Sequence, residues 1–148
     1  MLPAATLEGL NEAQRRAVTF GTTRPGGRGH DSGPLLVIAG AGTGKTMTLA
    51  HRVAHLVVAG VPPGRILLLT FSRRAAREMS RRARRIVGQA LADQGRGEAV
   101  QLPWAGTFHS IANRLLREYA ANLGLDPGFS VLDRGDAADL MDVARQEL

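Results

Sequence analysis

The sequence contains no cysteine, which excludes disulfides and thiolate metal sites. No stretch approaches the roughly 20 apolar residues that cross a bilayer, so no membrane span is expected. The opening residues Met1 to Glu8 lack a basic start followed by an apolar run, so no signal peptide is expected. These absences fit a reducing, cytoplasmic setting. Aromatic residues make up only 4% of the chain, so a ring at the end of a strand is informative. Lysine is scarcer still. Of 19 basic residues, all but Lys45 are arginine. A chain that spends arginine everywhere else keeps one compact ammonium, a point charge that fits between phosphate oxygens.

What is present describes a folded chain. Its 148 residues are 44% hydrophobic, enough for one domain with a real core and too few for two full ones. The net charge of +6 favours polyanionic partners, nucleic acid first. Liberal arginine usage accounts for the same charge without a partner.

Asn11 with Gln14 three residues later reads as a capping box opening a short helix to about Phe20. Residues 21–33 hold five glycines (Gly21, Gly26, Gly27, Gly29, Gly33) and Pro25, a loop composition. Leu35 to Ala39 is a continuous apolar run, expected to be a strand buried on both faces. A helix follows over about 45–59, with Leu49, Val53, Leu56 and Val57 at helical spacing. A second buried strand is expected over 66–70, a long helix over 73–92, a strand over 100–107 interrupted by Pro103, and a helix over 109–121. A short extended piece, 129–132, and a helix from about Gly135 complete the pattern. Strands alternating with helices predict an α/β fold with a parallel sheet. The last helix carries no terminating signal, which suggests a truncated chain.

Residues 39–46 read Ala39, Gly40, Ala41, Gly42, Thr43, Gly44, Lys45, Thr46. A strand, a glycine loop and a helix N-terminus in that order make a phosphate cradle. The glycines bring backbone N–H groups onto phosphate. Lys45 reaches the β and γ phosphates, and the Thr46 hydroxyl suits a magnesium ion. The expected ligands are ATP and Mg2+, with Lys45 and Thr46 as the catalytic pair. The strict pattern begins with glycine, where this chain has Ala39.

Further segments narrow the reading. Leu10-Asn11-Glu12-Ala13-Gln14 precedes the loop. Thr70-Phe71-Ser72-Arg73-Arg74-Ala75-Ala76-Arg77-Glu78-Met79 and Gly106-Thr107-Phe108-His109-Ser110 follow it. Together they resemble the N-terminal part of UvrD/Rep/PcrA-type superfamily 1 DNA helicases, over roughly residues 10–120. Members of that family usually begin the loop with alanine, as here. The resemblance implies a partial RecA-like sheet over 1–109 and the start of a helical insertion subdomain over 110–148. It implies that Gln14 hydrogen-bonds adenine, while Ala39 to Thr46 hold the triphosphate and Thr46 the magnesium. It also implies that Thr70, Phe71, Thr107, Phe108 and His109 lie along single-stranded DNA. The full family protein would be an ATP-driven 3′ to 5′ helicase acting on 3′-tailed duplexes, in repair or replication.

Two departures qualify this. Met47 stands where the family often has arginine near the base. The acidic pair that binds magnesium and activates water, and the later arginines, fall in the family beyond the equivalent of residue 148. The chain alone is therefore expected to bind ATP and DNA with little or no turnover. A sheet cut partway would also expose an apolar edge that favours aggregation. Two alternatives stand beside this: a self-contained phosphate-loop NTPase or kinase using Asp133, and a non-catalytic binding remnant.

Weaker signals have plainer readings. Arg74, Arg77, Arg81 and Arg84 share a helical face opposite Ala76, Met79 and Ala83. That face is expected to be solvated, with DNA phosphate as the sharper option. His51 and His55, one turn apart, lack a third metal ligand and are expected on the surface. Asp133, Asp136, Asp139 and Asp142 read as ordinary acids of a helix start.

Overall fold

The computed structural model describes residues 4–23, 30–96, 99–132 and 134–146. Pro25, Gly26, Gly27, Gly29 and Asp133 lie outside the described residues. The chain divides into two compact units, Met1–Ile111 and Ala112–Leu148.

In the first unit, α1 (Ala4–Leu7) precedes α2 (Glu12–Thr19). The sequence signal for α2 is realised in full. The Asn11 side chain accepts from the Gln14 N–H at 2.9 Å, and the Gln14 side chain accepts from the Asn11 N–H at 2.9 Å. Each bond satisfies a donor that the first turn leaves without an intrahelical partner. Strands β1 (Thr22–Thr23) and β2 (His30–Asp31) form a small antiparallel pair. Then come α3 (Lys45–Val58), β3 (Leu68–Thr70), α4 (Arg73–Ala92), β4 (Ala105–Thr107) and α5 (Phe108–Glu118), which runs into the second unit.

β3 and β4 pair in parallel, with Leu68, Leu69 and Thr70 opposite Ala105, Gly106 and Thr107. The class is α/β, with a small parallel sheet. β4 is shorter than the apolar pattern suggests. Pro103 has no N–H to give a ladder, and regular pairing starts two residues after it.

The core is the packing of α3 on α4, closed on one side by α2. Val53, Ala54 and Val57 of α3 meet Met79, Ala83, Ile86 and Val87 of α4 in one buried cluster with Val18 of α2. Ala50, Ala54, Ala83 and Ala90 are fully buried. Side chains that short let helix axes approach closely. Arg52 ties the surroundings to α3, donating to the Val18 carbonyl at 2.8 Å and to the Ser32 hydroxyl at 3.4 Å.

The expected strand over 35–39 is extended chain but no strand. Leu36 and Ile38 are 83% and 89% exposed, while Leu35 and Val37 are about half covered. Coverage alternates along the run, and the covered pair Leu35 and Val37 lie toward Leu49 and Arg52 of α3. A run apolar on both faces needs sheet neighbours to cover and pair it. Among the described residues no strand lies beside it, and a cavity of about 360 Å³ opens between Leu35, Val37, Leu49 and Arg52.

His51 and His55 correct the expectation of surface histidines, because both are buried. α3 is covered by α2 on one side and α4 on the other, which leaves little of it for solvent. The His51 ring nitrogen Nδ1 bonds the Met47 carbonyl at 2.8 Å. His55 meets the His30 ring edge to face, 5.2 Å between centroids. Among the described residues no group of three or more metal-ligating side chains exists.

In the second unit, Arg117 is the organising side chain. It donates to the Pro127 carbonyl at 2.6 Å and the Phe129 carbonyl at 3.0 Å, and lies 4.7 Å over the Phe129 ring. That clamp holds 127–129 as a turn, so the extended piece expected over 129–132 forms no strand. α6 (Arg134–Gln146) buries no residue. Asp142 pairs with Arg145 at 3.6 Å across exposed side chains. Such pairs contribute little stability.

His55 gives the fold a pH dependence. Burial first, then the charges of His30 and Arg52, push its pKa down to about 4. The unfolded chain takes up that proton near pH 6.5, so the stabilisation is complete above pH 6.5 and is lost as pH falls towards 4. Its slope is at most about 1.4 kcal/mol per pH unit. Thermal melts between pH 7 and 5 should fall steadily for the wild type, and the fall should be shallower in His55→Leu. Equal slopes in the two proteins would contradict the assignment.

Candidate functional site

The loop 39–46 joins the extended run to the first turn of α3. Gly42 and Gly44 sit at φ +76° and +83°, the left-handed region that costs glycine nothing. Gly44 has a second reason. A Cβ there would lie 2.8 Å from the Gln14 amide nitrogen. Gly44 is also the N-cap of α3 and carries no side-chain cap. The first helical bond runs from the Thr48 N–H to the Gly44 carbonyl at 2.9 Å. The amides of Lys45, Thr46 and Met47 therefore have no partner inside the helix. A fourteen-residue helix adds positive potential at that end.

Lys45 is exposed and folds back over the loop. Its ammonium donates to the Ala39 carbonyl at 2.9 Å and also to the Gly40 carbonyl. The Thr43 hydroxyl donates to the same Gly40 carbonyl at 2.8 Å. Thr46 stands exposed at the second position of the helix. The loop is thus braced by its own carbonyls, with the cation at its Ala39–Gly40 end.

Gln14 reaches this loop from α2. Its amide nitrogen donates to the Thr43 carbonyl at 2.9 Å. Its amide oxygen already accepts the Asn11 N–H. The two partners fix which end of the amide is which, because one is a donor and the other an acceptor. An amide oxygen has two lone pairs and the nitrogen two hydrogens. One of each remains for an edge that offers a donor beside an acceptor, as adenine does. The contact with Thr43 spans 29 residues of sequence and was not legible there. The capping box that aims the side chain was.

The other sequence-predicted residues gather at the C-terminal ends of β3 and β4. Pairing Thr70 with Thr107 puts the next residues, Phe71 and Phe108, side by side. Their rings lie 5.1 Å apart at a tilt of 42°. Phe71 is 89% exposed and Phe108 46%, so neither belongs to the core. His109 is exposed on the first turn of α5. Thr107 differs from the rest. It is buried, and its hydroxyl accepts from the Ser110 N–H at 3.1 Å, while Ser110 Oγ accepts from the Thr107 N–H at 2.9 Å. It caps α5, and so positions the Phe108 ring without itself facing outward.

On α4 the arginines divide differently from the face expected. Glu78 bridges Arg81 and Arg82, each at 2.7 Å, and those partners hold its carboxyl below the usual range. Arg73, Arg77 and Arg84 line a separate groove against β4.

Comparison with known proteins gives these features a family. Residues 10–147 match the model of the UvrD/REP helicase N-terminal domain. The ATP-dependent DNA helicase UvrD1 of Mycobacterium tuberculosis is 40% identical over 144 residues, which is 96% of this chain and 16% of that protein. The ATP-dependent DNA helicase PcrA of Bacillus subtilis is 41% identical over 131 residues, 88% of this chain and 15% of that protein. The chain spans about one sixth of the length of these relatives. With a capped Gln14, a braced Lys45 loop and paired strand ends lying inside the matched region, the chain belongs to the UvrD/REP helicase N-terminal domain family.

Proposed function

We propose that this chain is the ATP-binding and single-stranded-DNA-binding front part of an ATP-dependent 3′ to 5′ DNA helicase. The observation that carries the nucleotide half is the joint geometry of Gln14, Thr43 and Lys45. One end of the loop presents an amide suited to adenine, and the other an ammonium suited to phosphate. Residues 39–46 would hold the triphosphate, and the Thr46 hydroxyl its magnesium. When bound, the magnesium neutralises charge on the phosphate oxygens. Lys45 would then exchange the Ala39 and Gly40 carbonyls for β- and γ-phosphate oxygens. Gln14 would orient the base while keeping its hold on Thr43.

For DNA, the exposed pair Phe71 and Phe108 offers a stacking surface that any base can use. Thr70 and His109 beside them supply polar groups for the backbone. Residues 1–109 would form part of a RecA-like domain and 110–148 the start of a helical subdomain. The whole protein would act in the cytoplasm on 3′-tailed duplexes during repair or replication. No Asp-Glu pair occurs in the sequence, so we propose that the 148-residue chain binds nucleotide with little or no turnover.

Lys45→Ala should weaken magnesium–ATP binding by about 10- to 100-fold, as loss of a charge-assisted hydrogen bond implies. Titration with a fluorescent ATP analogue measures it, and unchanged affinity would sink the site. Magnesium-dependent ATPase activity stimulated by single-stranded DNA and absent from Lys45→Ala would overturn the lack of turnover.

Gln14→Ala should lower ATP affinity about 5- to 30-fold, for one lost base contact and a loosened loop. Inorganic triphosphate, which has no base, should also bind less well because the Thr43 tether is gone. Calorimetric titration of both ligands separates the two roles. A variant that binds both as the wild type does would remove Gln14 from the site.

A further inference from the structure

We infer that the groove between α4 and β4 is a second track for nucleic-acid phosphates, continuous with the Phe71–Phe108 ring pair. Its volume is about 560 Å³, and its walls include Arg73, Arg77, Ser80 and Arg84 from α4, with Gln101 and Ser110 opposite. Positions 73, 77, 80 and 84 fall on one stripe of the helix. From Arg73 to Arg84 the stripe runs about 16 Å, the length of several nucleotides.

The charge of this stripe is uncompensated. All three arginines are exposed. Among the described residues Arg73, Arg77 and Arg84 form no ion pair. Arg84 makes one long bond, 3.4 Å, to the Ser80 carbonyl of its own helix. The contrast lies on the same element, where Glu78 forms ion pairs with both Arg81 and Arg82. Three unpaired guanidinium forks along one groove suit a chain of phosphates. Opposite them, the Gln101 amide adds a donor of the kind that reaches phosphate and sugar.

Continuity with the rings favours nucleic acid over an acidic peptide. Phe71 directly follows β3, and Arg73 begins α4 two residues later. Ser110 lies in the groove wall two residues beyond Phe108. A strand stacked on those rings would lay its backbone along the arginines. This rests on the single-stranded-DNA reading proposed above and extends the footprint beyond the strand ends.

The test measures the salt dependence of binding of a fluorescent oligothymidylate to the full chain. The triple variant Arg73→Gln, Arg77→Gln, Arg84→Gln is compared with the charge-matched variant Arg81→Gln, Arg82→Gln, Arg85→Gln. Each phosphate contact on a single strand contributes about 0.7 to the slope of log affinity against log salt. The first triple should lower the slope by about 2 and the second by much less, and Arg77→Gln alone should lower it by about 0.7. Phe71→Ala should reduce affinity with the slope retained. Equal losses in the two triples would reduce the effect to net charge and overturn the track. A wild-type slope in the first triple, with polyglutamate binding lost instead, would assign the groove to an acidic peptide and also overturn it. In both cases oligothymidylate binding sensitive to Phe71→Ala would leave the parent reading standing. A wild-type chain that binds no oligothymidylate would overturn both.

Discussion

The burial of α3 is the constraint on which the rest of the first unit depends. The glycine loop has no core of its own; every residue from Gly40 to Gly42 is exposed. Its position is set by where the next helix starts. That helix is fixed by Ala50, Val53, Ala54 and Val57, packed on α4 and α2. Burying such side chains stabilises the fold by roughly 1.5 to 3 kcal/mol for each valine, and close packing leaves the helix little freedom to slide. The loop therefore inherits its geometry from a hydrophobic contact several turns away. Gln14 adds a second point of support from α2, itself held at Val18.

The same burial explains why some features could be read from sequence and others could not. α4 was legible because its apolar positions repeat at helical spacing over twenty residues. The capping box at Asn11 was legible because it is a local pattern of two residues. The rarity of aromatic rings singled out Phe71 and Phe108, and both rings are exposed. The histidines of α3 were misjudged because their ring nitrogens suggest water. The tertiary contacts of α2 and α4 outweigh that preference and leave His55 a buried, neutral ring. The run 35–39 was misjudged for the opposite reason. Its residues have strong strand character, but a strand is a relation between segments, and pairing cannot be read from one of them.

The arginines show how far charge arithmetic reaches. A net charge of +6 points to a polyanion but does not say where it binds. The helix pattern suggested one face carrying Arg74, Arg77, Arg81 and Arg84. Packing of α4 selects another grouping, because Glu78 takes up Arg81 and Arg82 while Arg73, Arg77 and Arg84 face β4. One acidic residue thus separates ion-paired arginines from the arginines of the groove.

The solitary lysine has a consequence of a different kind. Amine-selective reagents distinguish ammonium from guanidinium, and in this chain they meet one side-chain amine, where the glycine loop enters α3. Its ammonium donates to the Ala39 and Gly40 carbonyls, which ties it to the folded form of the loop. The chain is therefore labelled in nature's own composition: covalent chemistry at lysine reads the state of this loop with no competing signal from the rest of the side chains.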